Sequence, residues 1–161
     1  MNLAQNIKKK VANWLKEEGF PFKETPDPDA SFNFSVKVAG FAIDVVQNLR
    51  RDVILVRSTL VFNDKQTAQL KSMEERRRQE FLWDLRMMLL NNNEVGTFTI
   101  KPDLKRMEVM VQSRGIFHDA LTKDRFIHAI IVVHKAITMV IWMVKWYSGE
   151  GKPTQTSFYI Y

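Results

Sequence analysis

Three histidines, one aspartate alone on an apolar stretch and a run of three arginines are the residues of this chain that could do chemistry. His128 and His134 stand six apart in a helical segment, so they point in different directions and cannot share a metal ion. His118 beside Asp119 has the composition of a pH-sensitive or metal-ligating pair. A metal site needs three or four convergent ligands, however, and a polar loop ahead of a helix accounts for the same two residues. Asp44 lies between Ile43 and Val45 on an alternating stretch. Glu108 belongs to another such stretch, but nothing in the spacing pairs the two carboxylates. Asp44 is expected to face solvent or a strand cation such as Arg57. Cysteine is absent, which removes thiolate catalysis and sulfur ligands. The scattered glycines form neither a phosphate-cradling loop nor a nucleophile elbow. The expectation is a non-enzymatic protein with no catalytic residues, no cofactor and no metal. A small-molecule enzyme would need a pocket of convergent polar groups that the sequence does not mark.

A formal net charge of +6 permits attraction to nucleic acid or anionic lipid where the cations cluster. They do so at Lys8-Lys9-Lys10, Arg50-Arg51 and Arg76-Arg77-Arg78. Arg76, Arg77 and Arg78 are the candidate phosphate contacts of an alternative reading, a nucleic-acid-binding accessory protein. The aromatics that usually accompany such a patch fall at core-facing positions instead (Phe32, Phe34, Phe81, Phe126). Glu74 with Arg78, and Arg76 with Glu80, stand at i,i+4 and would neutralise part of the run. The N-terminal MNLAQNIKKKVANWLKEEG lacks the apolar core and cleavage site of a signal peptide. With no cysteine to protect, the expected location is the cytoplasm.

These residues must be held by regular elements, and one segment dominates the rest: FIHAIIVVHKAITMVIWMVKW, from Phe126 to Trp146. At helical spacing, Phe126, Ile130, Val133, Ile137, Val140, Ile141 and Val144 form one apolar stripe. Nearly opposite run His128, Val132, Lys135, Met139, Trp142 and Trp146, spaced by fours and threes, with Met143 beside them. The segment approaches the ~20 residues of a membrane span. A central Lys135 costs roughly 2.5–3.5 kcal/mol in that setting, and the other elements need this helix as a partner, so no membrane span is expected. A helix apolar nearly all round needs two covers. One is the chain's own sheet. The other is a second copy of the protein, received on Val132, Lys135, Met139, Trp142, Met143 and Trp146, or else the chain's own first helix through Ile7, Trp14 and Leu15.

The remaining elements follow in order. Leu3, Ile7, Val11, Trp14 and Leu15 mark a first amphipathic helix that Gly19 ends. FPFKETPDPDAS reads as a loop, because its prolines remove donors and restrict their neighbours. Three strands follow, at Phe32–Val38, FAIDVVQN and VILVRSTLVF, joined by an Ala39-Gly40 turn and a polar link. The third is apolar on both faces and belongs in the middle of the sheet. After a polar helical stretch from Asn63-Asp64, Ser72 and Glu75 have the form of a capping box for a helix reaching about Leu90. Val95–Lys101 and Arg106–Arg114 are two more strands around a Pro102–Lys105 turn. Thr122 is a good N-cap for the long last helix, and Ser148-Gly149 ends it. The predicted fold is α+β, a five-stranded antiparallel sheet with flanking helices in the order α-β-β-β-α-β-β-α. One layer of helices covers one sheet face. The whole of 1–161 reads as a single domain with a C-terminal tail, 149–161, that ends in the aromatic SFYIY.

This order of a terminal helix, a three-strand meander, a helix, two strands and a final helix resembles the type III secretion chaperone fold. It is also similar to small archaeal and bacterial families of that topology. The resemblance spans about Leu3 to Ser148 and rests on element order and lengths, so no residue role comes with it. It implies a homodimer that binds protein segments rather than substrates. The tail SFYIY is not part of that pattern. The expected function is a homodimeric, chaperone-like protein-interaction domain that binds a peptide or partner protein.

Overall fold

A computed structural model describes residues 3–149, so the tail from Glu150 onward lies outside the described residues. Helix α1 (Leu3–Glu17) buries Ile7, Val11 and Leu15, and Gly19 closes it at φ +70°, the left-handed conformation that costs glycine nothing. Strands β1 (Phe22–Glu24), β2 (Ala30–Val38), β3 (Phe41–Asn48) and β4 (Val53–Val61) come next. Helices α2 (Asp64–Ser72) and α3 (Glu75–Leu90) then lead to β5 (Val95–Lys101), β6 (Glu108–Ser113) and β7 (Ile116–Phe117). A short 3-10 turn, His118–Ala120, precedes α4 (Lys123–Ser148). The sheet is antiparallel, in the order β1-β2-β3-β4-β6-β5 with β7 against β4.

Among the described residues the sheet has seven strands rather than the expected five. The two additions are three and two residues long, too short for alternation to show in a sequence. β1 forms inside the proline-rich stretch because Phe22 to Glu24 contains no proline and pairs Phe22 with Val36. β4 is central, as its two apolar faces require. It serves β6 along its second half and β7 at its start, where Val53 meets Phe117.

Capping differs from the expectation too. The capping box belongs to α2, where the Asn63 side chain accepts from the Gln66 N–H and Gln66 returns the bond to the Asn63 N–H, both at 2.9 Å. Ser72 is the last residue of α2, its hydroxyl donating to the Gln69 carbonyl, and α3 starts at Glu75 with Glu74 as an N-cap that makes no side-chain cap bond. Thr122 caps α4, accepting from the Arg125 N–H at 3.3 Å. Gly149 ends it at φ +80°.

The helices lie on one sheet face, over two apolar clusters. In the first, α1 and Phe126, Ala129, Ile130 and Val133 of α4 pack on β2, β3 and the start of β4. Trp14 stacks against Phe126 with ring centroids 5.9 Å apart. In the second, α2, α3 and Ala136, Ile137, Val140 and Val144 of α4 pack on β6 and the end of β4. Lys123 ties the start of α4 to the end of α1 through Glu17 and Glu18 at 2.9 and 2.7 Å, and these bonds raise its pKa.

The β2–β3 hairpin turns through Ala39 at φ +47° and Gly40 at φ +86°. A two-residue loop with both residues left-handed matches the twist of the flanking strands, and Ala39 bears the steric cost of its Cβ there. Replacing Ala39 by Gly should raise the unfolding free energy by about 0.5–1 kcal/mol, read from chemical denaturation. A lower stability would mean that the freedom gained by the unfolded chain outweighs the relief of strain.

Candidate protein-binding face

The outer stripe of α4 is only partly covered by its own chain. Met139 is 43% and Trp146 57% exposed, Lys135 is exposed, and Trp142 and Met143 are half-buried. Val132 departs from the expected stripe. It is buried and forms the wall of a cavity with Asn93 and Glu94, because the turn before β5 folds against this end of the helix. The first helix does not supply the second cover, since Ile7, Val11 and Leu15 join the cluster of Phe126, Ile130 and Val133 on the opposite side of α4. By length and composition α4 could cross a membrane, yet half of its most apolar window is buried within this domain.

The neighbour of the stripe is α3. At one end Tyr147 packs edge-on against Phe81, centroids 5.3 Å apart, donates its hydroxyl to Asp84 and accepts at its carbonyl from Arg77 at 3.2 Å. The bond to Asp84, together with burial, pushes the phenol up to about 12. At the other end Glu94, in the turn that follows α3, meets His128 at 2.9 Å. The two helices therefore run antiparallel, and the outer side of α3 extends the surface with Trp83, 62% exposed, and Leu90, 66% exposed. The sequence reading missed these two. The available signal was their seven-residue spacing on the side of α3 opposite Phe81 and Leu85.

The arginine run is already engaged. Arg76 meets Glu80 at 3.2 Å, as its spacing predicts. Arg78 pairs with Glu75 rather than Glu74, one turn-step nearer. Arg77 donates two hydrogen bonds to the Tyr147 carbonyl and lies over the Tyr147 ring, 5.7 Å from its centroid. These guanidiniums hold α3 to itself and to α4, which leaves fewer of their donors for phosphates.

The remaining candidates are dispersed. His118 is turned inward, and the acid nearest it is the exposed Asp52, at 3.8 Å, rather than Asp119. His134 packs on Phe41, and burial lowers its pKa. Among the described residues no three acidic or histidine side chains converge as metal ligands would. Asp44 lies opposite Arg57 in the β3–β4 register, so its expected cation is in place. The loop between β1 and β2 brings Asp27 to 3.8 Å from Arg57. Asp44 is consequently half-buried, and desolvation raises its pKa against the pull of Arg57, with the second carboxylate, Asp27, adding to the rise.

Fold and face together define a two-layer α+β domain whose helices cover one side of an antiparallel sheet and whose last two long helices leave an apolar outer surface. The chain belongs to the family described as "Uncharacterized conserved protein (DUF2299)", which it matches over residues 7–144. It is similar to a crystal structure of an uncharacterized protein from Methanothermobacter thermautotrophicus, at 31% identity and a TM-score of 0.79, over 89% of this chain and 98% of that one. No curated protein matches it.

Asp44 supplies a test of the open sheet face. Its folded-state pKa is raised, so the native state holds the proton more tightly than the unfolded chain does. Ionising it therefore costs stability as pH climbs from below the ordinary aspartate value through the folded one, and the full cost is present at neutral pH. Asp44→Asn should melt above the parent protein at pH 7, and the gap should close on acidification below about pH 4. A variant that melts lower at pH 7 would show that the attraction of Arg57 outweighs the burial.

Proposed function

We propose that this protein is a non-enzymatic, homodimeric protein-interaction domain acting in the cytoplasm, and that α4 is its dimer seam. One observation carries the reading. Lys135, Met139, Trp142 and Trp146 are spaced four, three and four, a pattern that reads the same in both directions along the helix. Two copies of α4 laid antiparallel about a two-fold axis between Met139 and Trp142 therefore match at every seam position. Met139 meets the partner's Trp142, and Lys135 meets the partner's Trp146. An interface of this kind is self-complementary by symmetry, and its composition of tryptophan and methionine is that of interface cores. Lys135 is suited to its place, since its stem can lie along an indole while the ammonium takes the cation–π position or reaches water. Burying side chains of this size is worth roughly 1.5–3 kcal/mol each.

Trp83 and Leu90 flank the seam on α3 and supply the apolar surface against which an amphipathic segment of a partner protein is received. The resemblance of the element order to the type III secretion chaperone fold points the same way. Light scattering after size exclusion tests the seam. The parent chain should elute as a dimer and Trp142→Glu or Met139→Lys as a monomer with unchanged circular dichroism. A parent protein that stays monomeric at high micromolar concentration would remove the reading.

A further inference from the structure

A second feature lies at the opposite end of α4. A cavity of about 510 Å³ opens between the end of β6, β7 and the first turns of α4, within the roughly 300–1,000 Å³ usual for small-molecule sites. Its floor is apolar, made by Ile116, Ala129 and Val132, all buried. Phe117 stands at its rim with 62% of its surface exposed. Two arginines are among its lining residues, Arg114 and Arg125. Among the described residues neither has a carboxylate partner. Arg125 is steadied by one bond, Nη1 donating to the Ala120 carbonyl at 3.2 Å, and keeps its other donors. The acid in the lining is Glu94, and it is taken by His128.

The backbone is built to hold Arg114 there. Gly96 forms the bulge of β5, where the register to β6 slips between Val95 and Thr97. A Cβ on Gly96 would come within 2.6 Å of the Ser113 carbonyl oxygen and 2.7 Å of the Arg114 nitrogen. On the other side, a Cβ on Gly115 would come within 2.7 Å of Val53 Cγ2. The Arg114 backbone is thus approached closely by β5 at Gly96, and the next residue, Gly115, lies tight against the Val53 side chain. Ser113, itself buried, donates its hydroxyl to the Arg114 carbonyl at 3.1 Å and fixes the peptide further.

We propose that this cavity binds a small organic oxyanion, a carboxylate or phosphate carried on a flat apolar body. Guanidiniums match such oxyanions with paired, charge-assisted hydrogen bonds. The apolar floor and the Phe117 ring receive the body of the ligand, by contact and stacking. A neutral ring leaves the arginine donors unused, and a bare anion leaves the floor wet, so both halves are needed.

The test is an NMR titration of the full chain with phenyl phosphate, benzoate, inorganic phosphate and phenol. Phenyl phosphate or benzoate should shift the amides of Gly115, Ile116 and Ala129, and the tighter of the two identifies the headgroup. Inorganic phosphate and phenol should bind at least about tenfold more weakly. Arg114→Gln and Arg125→Gln, both at exposed positions, should each weaken binding by about tenfold or more without disturbing shifts elsewhere. Trp142→Glu should titrate like the parent chain, which separates this site from the dimer seam. Unchanged amides at millimolar phenyl phosphate and benzoate, or equal binding by the parent and both arginine variants, would overturn the proposal.

Discussion

Everything in this domain depends on α4 closing two apolar clusters at once. The cluster under α1 and the cluster under α2 and α3 share this helix and the central β4, while α1 belongs to the first alone and α3 to the second alone. A helix that must reach across both has to be long and continuous, and its inward side is apolar from Phe126 to Val144. Its composition is poor for an isolated helix, because isoleucine, valine and threonine lose side-chain freedom on the helical backbone. Burial therefore holds it in place rather than intrinsic propensity, with Thr122 and Gly149 setting its two ends. The inward side is satisfied by the sheet. The outward side carries the surplus of apolar surface, and the proposed dimer seam is a consequence of that surplus.

The two sheet faces divide the labour. The helix-covered face holds the apolar alternation of β2, β3 and β4. The other face carries Ser35, Asp44 and Arg57 together with the apolar Val46 and Leu55, and the loop between β1 and β2 folds across part of it. Asp27 reaches Arg57 from that loop, opposite the strand acid Asp44. Burial of the Asp44 carboxyl raises its pKa; the Arg57 guanidinium pulls it down and the Asp27 carboxylate adds to the rise. The contact of Asp27 with Arg57 is a tether of modest worth at a surface, and it accounts for the burial of Asp44 without invoking chemistry.

How much was legible follows from what periodicity can and cannot carry. Phe32, Phe34 and Val36 alternate over enough residues to show a half-buried strand, and the two-faced apolar run of β4 marks its central place. β1 and β7 escape because they exist only through their partners, Val36 and Val53. Ser72 and Glu75 have the form of a capping box, but the local bond was won by Asn63 and Gln66, one helix earlier. The outward stripe of α4 was visible from Lys135 to Trp146. Val132 was misplaced because helical spacing gives its direction but not the turn that covers it. Trp83 and Leu90 were hidden in a helix that reads as mostly charged. The cavity at Arg114 was not legible at all, since a bulge at Gly96 and a helix more than ten residues further on in the chain create it jointly.

The seam and the cavity share a helix, and the spacing of residues decides whether they can coexist. An axis between Met139 and Trp142 lies well toward the C-terminal end of α4. Pairing about it matches Val132 with the partner's Gly149, where the partner helix stops at a left-handed residue. The first turns of α4, from Lys123 to Ile131, therefore extend beyond the end of the partner helix. Arg125, His128 and Ala129, which form the helical wall of the cavity, belong to this overhang. A dimer of the proposed geometry thus buries Met139 and Trp142 while its partner helix leaves the cavity wall uncovered. Val132 is the one residue at the boundary, part of the cavity wall on one side and next in line to the seam on the other, so along α4 the proposed sites share no residue between Lys135 and Trp146.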